Sequence, residues 1–492
     1  MAEQKGYLVF DIGTGNARVA VVTAGGDVTA LEREDIEYVT DPLYPDGRYF
    51  SPERLWMQIS AMAKKAIAKS PHITLIGITS TSQRQGIVLI NKDKKAFLGL
   101  PNIDNRGREW EGEIELKEEV HQRAGRLPSA LFSAMKLVGL KKRQPSLWKE
   151  VKYITSISDW VTFELSGILS YEPSQAAETL LFDVREKAWS EKLCSIFGVP
   201  SAILPSLVRS GTVVGMLTFK KAAVLGLSER VPVIAGGGDT QLAIKSADAK
   251  PGDIVIVSGT TTPITKITAE TGTESLENAW LNCHTKEGQW LLETNPGVTG
   301  LNYQKLKSIF YPNESYSVME REIASLPKHD QACVSALGSY LSSEKNALAK
   351  GGFIFDAPLS QSLSRAHFVK AALMEIAFSI KWNYEALTEV TSFSKNDVKV
   401  CGGGFQSDAL TQFLANLLQK KIYKREGFSQ ASVMGAAMIC NEALGVKEEL
   451  SNRTKLIEPE SDQTDLFLYE EWKHTQKLFA HFQPSGESLT WG

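Results

Sequence analysis

Three short glycine-rich stretches carry the chemistry this sequence offers most plainly. Asp11-Ile12-Gly13-Thr14-Gly15-Asn16 follows the apolar run Tyr7 to Phe10, Ser258-Gly259-Thr260-Thr261 follows Ile254 to Val257, and Gly402-Gly403-Gly404 follows Val398 to Cys401. A turn without Cβ atoms presents backbone N–H groups, and a concave run of them binds phosphate oxygens. Thr14 adds a hydroxyl donor and Arg18 a positive charge, while Asp11 is a hard oxygen ligand suited to Mg²⁺ directly or through water. These residue types equally suit an ordinary hairpin turn. The first stretch is not a Walker A loop, since no Gly-Lys-Ser/Thr follows. The second can receive the other side of a polyphosphate. The third sits between a strand and a helix, where backbone can approach a flat base or ribose closely. Together with the acidic strand end, the three describe a nucleotide cleft between two related domains.

The elements that must hold these turns are strands and helices in alternation, which implies an α/β fold. Tyr7 to Phe10, Arg18 to Val22 and Val28 to Leu31 read as a three-strand meander. Pro52 to Ala68 repeats apolar residues at helical spacing behind Ser51, a candidate N-cap, and Ile73 to Ile78 reads as a buried strand. A second strand–turn–strand unit appears about 247 residues on (Asp11 against Ser258), after Gly236-Gly237-Gly238-Asp239. That spacing predicts two domains on one plan, 1–248 and 249–492, joined near Ala247 to Gly252. Beyond it, Ala366 to Leu387 and the stretch after Ser407 read as helices, as does the small-residue run Ser432 to Ala443. The chain from Lys447 onward is expected to end in a helix and a loose tail.

Composition narrows the function. The 492 residues are 43% hydrophobic and 23% charged with a net charge of −3, the balance of an ordinary globular protein. Near-neutrality gives no electrostatic reason to expect nucleic acid or an anionic membrane as partner, though a small anion held by local groups is compatible. No apolar run reaches the ~18–20 residues of a membrane span, and Met1 to Gly6 lacks the form of a secretory signal. The five cysteines form no C-x-x-C pair and the seven histidines no metal spacing, which argues against a disulfide scaffold or a zinc site. The expectation is a cytoplasmic protein.

The motifs in order resemble those of the FGGY carbohydrate kinases, within the actin, Hsp70 and hexokinase superfamily, over about Tyr7 to Gly445. Asp11, Gly13, Thr14 and Gly15 are similar to the family's first phosphate motif. Gln83-Arg84-Gln85-Gly86 and Asn102-Ile103-Asp104-Asn105-Arg106 resemble its two sugar-contact segments. Ser158-Asp159-Trp160 to Gly167, and Leu204-Pro205 with Ser210-Gly211-Thr212 and Gly215, resemble two further hallmarks. Gly237-Gly238-Asp239-Thr240-Gln241 resembles the segment with the catalytic aspartate, Ser258-Gly259-Thr260 the second phosphate motif, and Gly402-Gly403-Gly404 with Ser407 and Gln412 the adenosine segment. Ser82 to Leu89 and Ile157 to Trp160 look most like the autoinducer-2 kinase branch, and the Gln83-Arg84 pair is also similar to glycerol kinases. Departures are Asn416 for a usual aspartate, Gln430 for a usual glutamate, no acid near Tyr49-Phe50, and a poor copy of the Gly-Glu-Arg segment at Phe355 to Ser364.

The resemblance implies two ribonuclease H-like domains around a nucleotide cleft, with ATP and Mg²⁺ as cofactors and a small sugar or polyol as acceptor; a homodimer is a family expectation. Asp239 would be the catalytic base, taking the proton from an acceptor hydroxyl, although a plain helix N-cap is the alternative for an aspartate after a glycine turn. Gln83, Arg84, Asp104, Asp239, Thr240 and Gln241 would bind the acceptor, with a surface or interdomain ion pair the alternative for Arg84 and Asp104. Asp11, Gly13, Thr14, Gly15, Asn16, Arg18, Gly259, Thr260, Gly402, Gly403, Gly404 and Ser407 would bind the nucleotide, with Asp11 and Asp239 toward the metal. Arg106 reads as support, and Trp160 as either a sugar neighbour or a core residue. The rival reading is a nucleotide-dependent switch or binding protein of actin or Hsp70 type, using the same cleft without phosphorylating a sugar.

Overall fold

Strand β1 (Gln4–Ile12) is buried from Gly6 onward because both of its faces are covered. Together with β2 (Asn16–Thr23), β3 (Val28–Asp35), β4 (Ile73–Ser82), β5 (Val213–Met216) and β6 (Pro232–Gly238), it forms a six-stranded sheet in the order β5-β6-β4-β1-β2-β3. The predicted meander is present: β1, β2 and β3 pair antiparallel. On the other side β1, β4 and β6 run parallel, with Ile12 opposite Ser82 and Gly238 opposite the same Ser82. Residues just beyond the carboxyl ends of parallel strands are where ligands bind in α/β sheets. This register therefore delivers Asp11, Gln83-Arg84 and Asp239 to one edge. The computed structural model describes residues 4–228, 230–271, 279–327, 332–338, 351–391, 397–448, 453–460 and 464–480.

A seven-stranded sheet follows in sequence. It is built from β7 (Ile254–Val257), β8 (Ile264–Thr268), β9 (Trp280–Cys283), β10 (Trp290–Thr294), β11 (Asp397–Cys401), β12 (Lys421–Arg425) and β13 (Thr454–Ile457), in the order β9-β10-β8-β7-β11-β12-β13. Here β7 and β11 are parallel, with Val257 opposite Cys401, so the Ser258 and Gly402 turns leave the sheet side by side. The repeated plan is thus parallel strands whose carboxyl ends carry glycine turns.

Helices cover the sheets as their apolar spacing requires. α1 (Pro52–Lys69) begins where Ser51 accepts the Arg54 N–H, and turns Leu55, Ile59, Met62 and Ala66 onto the first sheet. α2 (Ile157–Ser166) brings Trp160 wholly into that core, edge-on to Trp56, so Trp160 is a packing residue. α3 (Asp239–Ser246) follows β6 directly. α4 (Arg365–Val390), α5 (Asp408–Leu418) and α7 (Thr464–Ala480) serve the second core. His367 is structural, its Nδ1 accepting the Ser364 N–H in a capping arrangement. The end of the tail, 481–492, lies outside the described residues.

α6 (Ala431–Leu444) does not follow the division that sequence position suggests. Its Val433, Ala436, Ala437 and Cys440 pack with Tyr7, Val9, Ala20, Val22 and Leu242, against the first sheet and α3. The small residues have a steric reason: a Cβ at Gly435 would overlap the Leu242 backbone. Asn441 fixes the crossing, accepting from the Tyr7 hydroxyl at 2.5 Å and donating to the Ala24 carbonyl at 2.9 Å.

Candidate active site

At the end of β1, Asp11 is fully buried. Its Oδ2 accepts from Arg18 Nη2 at 2.5 Å and from the Ser432 hydroxyl at 2.6 Å, while Arg18 also donates to Gln430 Oε1 at 3.2 Å. Arg18 is thus tied to the acid and to α6 as well as being near the turn. Asp11 Oδ1 is buried with no protein partner. The turn itself closes by a Gly13 N–H to Asn16 carbonyl bond at 3.0 Å, and a Cβ on Gly15 would meet nothing within 4 Å. Asn16 opens β2 opposite Asp35. Thr14 Oγ1 accepts from Asn102 Nδ2 at 2.9 Å.

Gln83 works as a bracket. Its amide donates to the Gly13 carbonyl and the Tyr38 hydroxyl, both at 3.0 Å, and accepts the Asn102 N–H at 2.8 Å. All three bonds go to the protein, so Gln83 fixes the first turn to the Asn102 loop. Asp104 is held by the protein more closely still. It is fully buried, accepting the Arg48 N–H at 2.7 Å on one oxygen and Arg106 Nε at 2.8 Å on the other. With both oxygens engaged and no exposed surface, Asp104 anchors the loop between Arg48 and Arg106. Lys136, also buried, donates to the Asp104 carbonyl.

Asp239 is the first residue of α3. Its Oδ1 accepts from the Thr240 N–H at 2.7 Å and the Thr240 hydroxyl at 3.3 Å, leaving Oδ2 for an incoming group. Withdrawal from water raises the carboxyl to about 6; Arg84 draws it down and Asp11 pushes it up. The preceding turn is held from below, with the Gly238 N–H donating to Ser174 Oγ at 3.0 Å and Ser174 to Glu172 at 2.5 Å. Gln241 is wholly buried beside this turn, and neither its amide nitrogen nor its oxygen has a protein partner.

Arg84 lies in a network that joins the two sheets. It donates to Glu293 through Nη1 at 2.5 Å and Nη2 at 2.7 Å, and to Glu178 at 3.2 Å. Glu178 also accepts from Arg126 at 2.7 Å and from Gln85 at 2.5 Å. Gln85 has φ +62°, a left-handed conformation that non-glycine residues adopt rarely. Sequence reasoning missed Glu178, Arg126, Glu293 and Ser432. Glu293 lies within an apolar strand, and an acid at a buried strand position was the available signal.

The second and third glycine turns meet. A Cβ on Gly402 would overlap the Ser258 carbonyl and one on Gly404 the Ser258 side chain, and Gly402 has φ +98°. Those two glycines therefore serve contact between turns. Gly403 has nothing within 4 Å of a Cβ position, and Gly259 only the Thr261 carbonyl at 3.9 Å. They leave open space of the kind a nucleotide would fill. The Thr260 carbonyl accepts from the Thr299 N–H at 3.1 Å. Ser407 caps α5, accepting the Leu410 N–H at 3.3 Å.

Family comparison decides what these turns belong to. The N-terminal domain of the FGGY family of carbohydrate kinases matches residues 6–245, and its C-terminal domain matches residues 255–444. The chain belongs to the FGGY family of carbohydrate kinases. "Putative sugar kinase YoaC" of Bacillus subtilis (strain 168) is 65% identical to this FGGY protein over 98% of each chain. Autoinducer-2 kinase of Salmonella paratyphi A (strain ATCC 9150 / SARB42) is 23% identical over 90% of this chain and 87% of its own. The crystal structure of Plasmodium falciparum glycerol kinase with ADP has a TM-score of 0.82 at 16% identity, covering 97% of this chain and 98% of that one. The α/β fold is therefore the two-domain FGGY kinase fold, with ribonuclease H-like domains as in actin and hexokinase, and the protein is a carbohydrate kinase, of a family that uses ATP.

The residues present suit a magnesium nucleotide. Among the described residues no group of three or more His, Cys, Asp or Glu gathers to hold a metal alone. The unpartnered Asp11 Oδ1 would supply a single hard ligand, the kind of donor that suits Mg²⁺ carried in on nucleotide phosphates. Among the described residues no helix is long and apolar enough to cross a membrane.

Proposed function

We propose that this FGGY kinase transfers the γ-phosphoryl group of Mg-ATP to a hydroxyl of a small ketose, polyol or related hydroxylated metabolite, with Asp239 as general base. The observation that carries the reading is the Asp239 carboxylate at the start of α3, with one oxygen held by Thr240 and the other free. Its carboxyl, raised to about 6, is ionised at neutral pH yet more basic than an ordinary aspartate.

The acceptor hydroxyl gives its proton to Asp239 as its oxygen bonds to the γ-phosphorus and the bond from that phosphorus to ADP breaks. The Gly259 and Thr260 turn and the Gly13 to Gly15 turn hold the phosphates from opposite sides, and Gly403 leaves room for the nucleoside. Bound Mg²⁺ would neutralise phosphate charge beside Asp11. Arg84 and Gln241 hydrogen-bond the acceptor, and Gln83 fixes the first turn. Residues 1–248, with α6 seated against them, and the rest of 249–492 act as the two lobes, whose approach excludes water from the transfer.

Release of ADP from Mg-ATP is measured over a panel of ketoses, polyols and the autoinducer-2 precursor, the last chosen for the 23% identical autoinducer-2 kinase. One acceptor is expected to stimulate release, and Asp239→Asn to lower kcat by ~10²–10⁴-fold with the KM for ATP nearly unchanged. Wild-type turnover in Asp239→Asn removes Asp239 from the mechanism.

A further inference from the structure

Arg84 stands beside the proposed base, yet its charge is already matched. Its two terminal nitrogens meet the two oxygens of Glu293 in a paired fork, and one of them also reaches Glu178. Such planar bidentate pairing is the geometry in which a guanidinium otherwise grips a carboxylate or phosphate ligand. Here the protein's own carboxylate occupies that fork.

The surrounding groups keep Glu293 ionised and in place. Asn282 donates to Glu293 Oε2 at 3.0 Å and Asn295 to Oε1 at 3.2 Å, and both asparagines are buried. Burial would raise the Glu293 carboxyl; Arg84 outweighs it and holds the group below the usual carboxylate range. Arg126, bound to Glu178, is the second guanidinium of the cluster. Two guanidiniums therefore face two carboxylates, all nine-tenths or more buried; at the reacting end Asp11 is matched by Arg18 at 2.5 Å, and Asp239 adds a further negative charge. An anionic acceptor entering beside Arg84 finds no uncompensated cation there and meets the Asp239 carboxylate.

We propose that Glu293, supplied by the second sheet, is a specificity-determining positioning residue: by occupying the Arg84 fork it holds that guanidinium toward neutral hydroxyls and bars acceptors that carry a carboxylate or phosphate. The inference rests on the acceptor site described under Proposed function and deepens it. Glu293 acts through Arg84, contributing both its orientation and its countercharge. Discrimination here comes from a repulsive element as much as from an attractive one.

The test compares matched neutral and acidic acceptors, polyols against the sugar acids of the same carbon skeleton, in wild type, Glu293→Gln, Glu293→Asp and the double variant Arg84→Gln/Glu293→Gln. Wild type is expected to favour the neutral member. Glu293→Gln is expected to move the ratio of kcat/KM toward the acid by about tenfold or more, with the KM for ATP unmoved. Glu293→Asp restores the wild-type preference, and the double variant, lacking cation and countercharge together, returns to neutral preference at lower turnover. The Asp and double variants also keep the proposal falsifiable where Glu293→Gln fails to fold, since both preserve charge balance. A wild type that prefers the acid overturns the proposal, as does a loss in Glu293→Gln equal for both acceptor classes, or acid preference in the double variant. Silence toward every acceptor in wild type overturns the kinase reading itself, and is recognised because all variants then match wild type across both classes.

Discussion

Ser432 donates its hydroxyl proton to Asp11 Oδ2 at 2.6 Å, across 421 residues of chain. The acid at the first phosphate turn is thereby oriented by a helix from the last quarter of the sequence, with Arg18 on the same oxygen. Replacing Ser432 by Ala removes a hydrogen bond to a charged group, about 1.5–3 kcal/mol in magnitude. We expect Ser432→Ala to raise the KM for Mg-ATP by about tenfold while the acceptor KM holds. Steady-state kinetics with each substrate varied in turn checks this, and an equal rise in both constants counts against it.

The Asp239 carboxyl, raised to about 6, sets an acid limb. Protonation removes the base, so kcat/KM for the acceptor should fall tenfold per pH unit below about 6, and the residual activity of Asp239→Asn should lack that limb. Stability moves the other way for this group. Between about 6 and the ordinary aspartate value of 3.8, the folded chain holds the proton more tightly than the unfolded chain does. Its contribution to stability therefore grows as pH falls through that window. Lower activity at pH 5 should accompany an intact fold, read by circular dichroism on the same samples.

The three glycines of the Gly402 turn should separate in their effects. Gly404→Ala drives a methyl into the Ser258 side chain, and Gly402→Ala meets the Ser258 carbonyl at a positive φ, so both should destabilise by about 1–3 kcal/mol or more. Gly403→Ala meets open space. It should fold as wild type in urea titration and reveal any deficit only as a higher KM for ATP.

Asp104 is expected to behave as a structural anchor. Asp104→Asn weakens the hold on the buried Arg106, which keeps the more distant Asp41 carboxylate at 3.5 Å, so the loss should fall below the about 3–5 kcal/mol of a buried charge left wholly unpaired. Denaturant unfolding should show the loss, while the acceptor KM of the folded fraction stays at the wild-type value. A raised acceptor KM at full stability would return Asp104 to the acceptor site.

Much of the scaffold is written locally. Ser51 and Ser407 cap the helices their positions indicate, and the meander of β1 to β3 follows from glycine turns between apolar runs. Strand ends were legible because acids and glycines interrupt buried stretches there. What the residues could not disclose is pairing over distance. Asp104 and Asp239 are both acids after a turn, yet one is sealed by Arg48 and Arg106 and the other keeps an oxygen free. Glu293 stands out only as an acid closing an apolar run, and its role appears when the first sheet brings Arg84 against it. Likewise Gly402 and Gly404 suggest room for a ligand, and only the parallel register of β7 and β11 shows Ser258 filling that room.

The crossing of α6 onto the first sheet has a consequence for synthesis on the ribosome. Tyr7 and its partner Asn441 are 434 positions apart. At 5–20 residues per second, roughly 20–90 s pass between their emergence. Throughout that interval the apolar face formed by Tyr7, Val9, Ala20 and Val22 lacks its native cover. A nascent chain truncated before Ala431 should therefore bind a chaperone that recognises exposed apolar surface, and release should await the arrival of the final helices.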